Sequence, residues 1–315
     1  MGQKSADRLI NGVTRRATGE VPLKIGFVGL GRMGRAMAGR LSLAGFDLVV
    51  YDAFPAAAEP LAEQGVAVAN SLADLSCGRD VVITMLAEDA IVAEVATGVG
   101  GLTESLPKGA IHMICGTHGV QVIEKLTADH RFVGQTLVAC TVLGRPDRAA
   151  DGKLGLVVAG PRQATALLAP ILEVLGETVF DAGETPVSST AAKIANNFVL
   201  GCAIEAIGEG MALVRRYGVD PQLFHRILTD GLFDCVAYRA YGAVIAEEAW
   251  ERVGATATIG LKDARLAMEA AESASVPLPS GNVWRDHLLS ACARGEQDLD
   301  WSVMAREEFR LSALE

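Results

Sequence analysis

From Leu23 onward, short apolar runs alternate with segments whose apolar positions recur at helical spacing. The runs Leu23–Val28, Leu48–Tyr51, Val66–Val68, Val81–Met85, Ala110–Ile114, Thr136–Thr141, Leu154–Ala159 and Thr178–Phe180 read as strands. Several are apolar without alternation, the pattern of strands covered on both faces. Helices between them are expected to begin near Gly34, Ala56, Ser71, Asp89, Val120 and Arg162. Such alternation predicts an α/β domain whose core is a parallel sheet with helices on both faces.

After Pro186 the strand signal stops, and the pattern predicts only helices: Pro221–Leu228, Cys235–Ala249, Ile259–Ala274, Asn282–Ala293 and Leu299–Leu311. Gly218, Gly231, Gly254, Pro277–Gly281 and Gly295 punctuate them. The change in element type sets a domain boundary, giving an α/β domain over residues 23–186 and an all-α domain over residues 187–315. Residues 1–22, polar and basic, are expected to be an extension outside the fold.

Ser188–Val214 reads as one long helix joining the two domains, with Ser188, Ser189 and Thr190 offering side-chain oxygens for its N-cap. It is apolar nearly all round, which predicts burial. Within it Lys193 and Asn197 stand four apart on one face, with Asn196 beside them. A lysine and two amides cost free energy there unless something polar meets them. Either the lysine snorkels to solvent and the asparagines bond backbone, or the three form part of a site.

Composition narrows the partners. With 315 residues, half of them hydrophobic, the chain can bury two cores. A net charge of −10 offers no basic footprint for nucleic acid or an anionic membrane surface, so neither partner is expected. Six cysteines, at positions 77, 115, 140, 202, 235 and 292, show no C-x-x-C pair or zinc-finger spacing, which points to a reducing, cytoplasmic setting without metal. No uninterrupted apolar run approaches the roughly 18 residues of a membrane span, and residues 1–20 lack the apolar core of a signal peptide.

The first strand runs into Gly26-Phe27-Val28-Gly29-Leu30-Gly31-Arg32-Met33-Gly34, which carries G-x-G-x-x-G at 29, 31 and 34. In a strand-to-helix turn Gly29 allows the tight bend, Gly31 lets a pyrophosphate approach the backbone, and Gly34 lets the helix pack closely. The helix N-terminus then offers free N–H groups and partial positive charge to the anion. Asp52, at the end of the second strand, completes the dinucleotide context. Its carboxylate can accept both ribose hydroxyls of NAD and repels the 2′-phosphate of NADP, and no arginine follows it in Ala53-Phe54-Pro55. NAD is therefore expected over NADP, unless Asp52 only begins a turn before Pro55.

Taken with Gly152-Lys153-Leu154, Lys193-Ile194-Ala195-Asn196-Asn197 and Gly260-Leu261-Lys262-Asp263-Ala264-Arg265-Leu266-Ala267, the glycine loop resembles the β-hydroxyacid dehydrogenase family, which includes 3-hydroxyisobutyrate dehydrogenase. The likeness spans the chain from about Leu23 to its end. It implies a Rossmann-type domain, a long interdomain helix with the catalytic lysine, an all-helical C-terminal domain, a small-molecule substrate and a homodimer or homotetramer. Carried over by residue, it implies Lys193 as general acid/base and Asn197 as a substrate hydrogen-bonder. It places Lys262, Leu86 and Ala87 on the cofactor alongside Leu30, Arg32 and Met33 of the glycine loop.

Two stretches depart from the family pattern. Ile114-Cys115-Gly116-Thr117 replaces Asp-x-Ser-Thr and keeps only Thr117, which is expected to touch both cofactor and substrate. Leu143-Gly144-Arg145 replaces Ser-Gly-Gly, so the carboxylate-holding serine is absent. Gly144 and Arg145 are the candidates for that task, although Arg145-Pro146-Asp147-Arg148 also reads as an ordinary charged turn. Cys115 and His118 fall near the sheet's C-terminal edge, with packing the expected role for both. The reaction implied is hydride transfer between a small β-hydroxyacid, or its semialdehyde, and NAD(P). Imine reduction on the same fold, 6-phosphogluconate-type oxidation and a non-catalytic dinucleotide-binding module are the alternatives.

Overall fold

Eight strands, β1 (Lys24–Val28), β2 (Asp47–Tyr51), β3 (Ala67–Val68), β4 (Val81–Thr84), β5 (Ile111–Ile114), β6 (Thr136–Leu143), β7 (Leu154–Ala159) and β8 (Gly176–Asp181), form one sheet in the order β3-β2-β1-β4-β5-β6-β7-β8. The computed structural model describes residues 23–314, so the extension expected at residues 1–22 lies outside the described residues. Every strand expected from the apolar runs is present, and the order reverses on either side of β1, the arrangement of a Rossmann-type domain.

Both faces of the sheet are covered, which explains the uninterrupted apolar runs. On one face Ile25, Phe27, Val81, Ile83 and Met113 pack with Met37 and Leu41 of the Arg32–Leu43 helix. On the other, Val28 and Val82 meet Leu75, while Ile114 and Leu137 meet Val92, Ile123 and Leu126. Each such side chain, fully buried, contributes roughly 1.5–3 kcal/mol.

The sheet is parallel except at one junction, where β6 pairs with β7 antiparallel. The link between them is short and holds only the five-residue helix Pro146–Ala150, whereas a parallel return needs a crossover of about a dozen residues or more. That small helix stands where the sequence suggested a plain charged turn. The helices Leu102–Ser105 and Ala169–Leu175 likewise went unread.

The chain divides into two compact units, the sheet unit ending at Gly116 and resuming over Val122–Ser189, and a helical unit of Thr117–Gln121 with Thr190 onward. The long helix runs Pro186–Arg216 and thus begins before the serines expected to cap it. Ser189 is instead buried against the sheet: its Oγ donates to Val157 O at 2.6 Å, accepts from Thr141 N at 3.2 Å and lies 2.9 Å from Thr141 Oγ1. Thr141 and Val157 are register partners across the antiparallel junction, so one hydroxyl ties both strands to the helix start.

Beyond Ser189 the helix is not buried all round, as its composition suggested. Ile194, Ile204, Ile207, Met211 and Ala212 face a core built with Trp250, Trp284, Trp301 and Phe309, while Ala191, Ala192, Ala195, Asn196 and Val199 are exposed. Among the described residues this helix alone is long and apolar enough, by length and composition, to cross a membrane. Its buried Asn197 and Glu205 sit on the side that faces the core of the helical unit, as in the core helix of a folded domain.

A buried polar chain crosses the sheet unit. Gln135 Nε2 donates to the carbonyls of Leu102 at 3.0 Å and Leu106 at 2.6 Å, which turns Oε1 toward His130 Nδ1 at 2.6 Å as acceptor. His130 Nε2 must then accept from His112 Nδ1 at 2.8 Å, and His112 Nε2 from Thr84 Oγ1 at 3.0 Å. A proton on His130 would force His112 into its other tautomer and reverse the hydrogen bond to Thr84. Burial holds His130 below its ordinary pKa, against smaller upward pulls from Gln135 and Asp129.

Acid should therefore weaken the sheet unit. Between the lowered folded value and the ordinary one near 6.5, the unfolded chain binds a proton that the folded chain refuses, so stability is full above that range and falls as pH drops through it. Denaturant midpoints at pH 7.5 and 5.5 should show the loss, and a His130→Leu variant, though less stable, should show less of it. Equal midpoints for the wild type at the two pH values would refute the account.

Candidate active site

The glycine loop hangs between the ends of two strands. Gly29 N donates to Tyr51 O at 3.1 Å beyond β2, and Met85 N donates to Val28 O at 2.9 Å beyond β4. Gly29 has φ +93°, and a Cβ there would meet Met85 O at 2.5 Å and Leu86 Cδ2 at 2.9 Å, so the turn requires glycine. A Cβ on Gly34 would strike the Gly29 carbonyl, whereas one on Gly31 would meet nothing within 4 Å. Gly31 thus leaves open space beside a helix start that has no side-chain cap and no acid in its first turn. Arg32 is exposed at that start, Met33 is half-buried against the core, and Leu30 is buried with only its N–H turned to a neighbour. These features fit a pyrophosphate on the loop.

Asp52 is the neighbour. Its Oδ2 accepts from Leu30 N at 2.6 Å and its Oδ1 from Phe54 N at 2.9 Å, so the carboxylate braces the loop as well as opening the turn before Pro55. Each oxygen retains a lone pair for a ribose hydroxyl. Leu86 packs beside the loop and Ala87 is exposed just beyond it, both following β4, which neighbours β1.

At the β6 end, Gly144 (φ +143°) turns the chain toward the Pro146–Ala150 helix, and a Cβ there would meet Leu154 Cδ2 at 2.9 Å. Arg145 is exposed at the N-cap of that helix and makes no ion pair with Asp147. Its neighbour Arg148 is the one engaged, with Glu177 at 2.8 Å and Lys153 O at 2.9 Å. Cys115 is buried against Cys140, which raises its thiol pKa well above the ordinary value through their hydrogen bond and through burial, so its role is packing.

In the helical unit the structure gathers four of the expected residues. Asn197, buried, donates from Nδ2 to Asp263 Oδ2 at 2.7 Å and accepts at Oδ1 from Asn196 at 3.3 Å, which leaves one amide hydrogen for another partner. Lys262 Nζ lies 3.1 Å from Asp263 Oδ1 and donates to the Thr117 carbonyl at 2.9 Å. Thr117 belongs to the helical unit and His118, beside it, is wholly buried. Lys193, half-buried one turn before Asn197, has its pKa lowered by burial, raised in part by the Asp263 carboxylate and lowered again by Lys262.

Burial is the largest cause of that depression. Ala191 and Ala192 are exposed and cannot supply the apolar surroundings, and the helix starts at Pro186, two turns before the lysine, beyond the reach of its terminal dipole. Asp263 is the residue that sequence reasoning missed. Its signal is an acid directly after Lys262 on an otherwise core-facing helix, where Asp263 is buried.

Two family models match the chain. One, described as the NAD binding domain of 6-phosphogluconate dehydrogenase, covers residues 24–183, and the other, described as NAD-binding of NADP-dependent 3-hydroxyisobutyrate dehydrogenase, covers residues 188–307. The uncharacterised oxidoreductase YfjR of Bacillus subtilis is 37% identical over 90% of this chain and 99% of its own. The mitochondrial 3-hydroxyisobutyrate dehydrogenase of Rattus norvegicus is 30% identical over 88% of this chain and 84% of its own. The solved structure of the 3-hydroxyisobutyrate dehydrogenase of Mycobacterium tuberculosis with L-serine is similar with a TM-score of 0.83 at 26% identity, over 91% of this chain and 99% of that one.

Removing the Asp263 charge should lower the Lys193 pKa further, because the variant Asp263→Asn deletes the one neighbour that raises it and leaves the repulsion from Lys262. The ¹³C resonance of the reductively methylated lysine, followed through a pH titration, reads the shift. A Lys193 pKa that stays put or rises would show that Asp263 does not set its charge.

Proposed function

We propose a specific reaction for this chain, which belongs to the β-hydroxyacid dehydrogenase family and is an NAD(P)-dependent oxidoreductase acting on CH–OH groups: reversible oxidation of a small β-hydroxyacid to its semialdehyde, with Lys193 as general acid/base. The observation that carries this reading is the buried cluster in which an amine of lowered pKa stands one turn from Asn197, itself clamped by Asp263.

A nicotinamide dinucleotide held on the Gly29–Gly34 loop with its ribose at Asp52 would supply the hydride chemistry. The remaining tasks fall to the chain. The Lys193 amine, kept short of its ordinary basicity, takes the hydroxyl proton during oxidation and returns it during reduction. The spare amide hydrogen of Asn197 holds the substrate oxygen against that amine, and Asp263 keeps the amide from rotating. Lys262, fixed to Thr117 O, presents positive charge for the cofactor side. Arg145, exposed and without an ion pair among the described residues, grips the substrate carboxylate in place of the missing serine. Imine reduction has less support, since Lys193 suits proton exchange with a hydroxyl. The six free cysteines support a reducing, cytoplasmic setting, and the exposed Val199 and Leu213 of the long helix support a homodimer or homotetramer.

Lys193→Met should cut turnover about 10²–10⁴-fold on the acid found by a spectrophotometric screen of hydroxyacids and semialdehydes, with cofactor affinity nearly unchanged. Retention of more than about a tenth of the rate, with chemistry limiting, would remove the lysine from the mechanism. Arg145→Ala in the same assay should raise KM more than it lowers kcat.

Cofactor choice follows from Asp52, whose carboxylate stands between the glycine loop and Phe54 with no arginine after it. NAD should bind at least about tenfold tighter than NADP, ~1.4 kcal/mol. Fluorescence titration with both oxidised cofactors measures this, and equal or tighter NADP binding would overturn it.

A further inference from the structure

Of the three glycines inside the long helix, Gly201, Gly208 and Gly210, the first two flank one buried acid. Both are places where another element comes close. A Cβ on Gly201 would meet the Trp284 ring, with Nε1 at 2.6 Å, and one on Gly208 would meet Ala305 Cβ at 2.6 Å. Glu205 lies between them on the same helix. The two close approaches bring it His287, one turn after Trp284, and Glu308, one turn after Ala305.

The donor atoms of Glu205, His287 and Glu308 all lie within 4.8 Å of one another. His287 Nδ1 is 2.7 Å from Glu205 Oε1, and His287 Nε2 is 3.7 Å from Glu308 Oε1. Glu205 is only 5% exposed, and its Oε2 is buried without a hydrogen-bond partner. A buried carboxylate oxygen left unbonded is costly unless a cation meets it.

We propose that Glu205, His287 and Glu308 bind a divalent transition-metal ion of the Zn²⁺ class, a site separate from the Lys193 cluster and formed wholly within the helical unit. One imidazole nitrogen with carboxylate oxygens is a donor set for such ions. At Zn–N and Zn–O lengths of about 2.0–2.2 Å, tetrahedral ligand atoms stand roughly 3.3–3.5 Å apart, and one donor atom from each of the three residues, a single imidazole nitrogen among them, already lies within 4.8 Å of the other two. Small closures of Glu308, whose side chain is 22% exposed, suffice to reach that spacing and leave a path from solvent. The three ligands come from three helices, Pro186–Arg216, Pro279–Ala293 and Ala305–Leu311, so the ion fastens the C-terminal helix to the long one.

The test is a titration of the full chain, freed of metal by chelation and dialysis, with Zn²⁺ followed by thermal melting and with Co²⁺ followed by visible absorbance. Saturating Zn²⁺ should raise the wild-type Tm by at least about 2–4 °C, and Co²⁺ should develop a d–d band at one equivalent. Both responses should be lost in His287→Gln and weakened in Glu308→Gln, each checked for native circular dichroism. Absence of both responses in the wild type would overturn the proposal and leave the cluster a protonated histidine between carboxylates. Responses that survive unchanged in folded His287→Gln would overturn it too, by placing the metal elsewhere.

Discussion

One carboxylate shared between two lysines is the constraint on which the buried polar cluster of the helical unit rests. Asp263 is paired with Lys262, bonded to Asn197 and felt by Lys193, all from a buried position. Burial lowers the pKa of the Lys193 amine, and a second ammonium beside it lowers it further. The carboxylate limits that fall. A base that must both take and return a proton near neutral pH works best with a pKa near the working pH, and one acid set against burial and a like charge is a means of reaching it.

The sheet unit solves a different problem, that of keeping a loop open. Gly29 and Gly34 are fixed by contacts that exclude any side chain, whereas Gly31 has room around it. Asp52 supplies the stiffness that three glycines cannot, by binding the N–H of Leu30 from the end of the neighbouring strand. A single carboxylate thereby couples the loop's shape to the place where a ribose would lie. Its removal would be expected to act on the loop and on cofactor choice together.

What was legible in the sequence follows from range. Strands buried on both faces show as unbroken apolar runs, and the loop's glycines are forced by local φ and local packing, so both could be read from neighbouring residues. The antiparallel entry of β7 could not, because it depends on a short helix starting at a proline that equally suits a turn. Ser189 reads as a cap because serines at a helix start usually are, and its real partners are 48 and 32 residues away. Asp263 lies 66 residues from Asn197, and Gln135 imposes tautomers on two histidines of which one is 5 residues off and the other a further strand away. Polar groups that meet only through tertiary structure leave no periodic trace.

The long helix shows why hydropathy alone misleads in both directions. By length and composition alone it passes for a membrane span, a test that the core helix of a folded domain also passes. Ile194, Ile204, Ile207 and Met211 account for the apolar character that a core of three tryptophans demands. Gly201 and Gly208 then reduce helix propensity to let Trp284 and Ala305 approach, and the polar residues are set on the core-facing side, Asn197 before the first glycine and Glu205 between the two. In a bilayer such groups would face either lipid or a partner helix; here each meets a named side chain, Asp263 for Asn197 and His287 for Glu205. The helix is apolar because it lines the core of a folded unit, and its buried polar positions pair with named side chains because that core leaves them no water to bond.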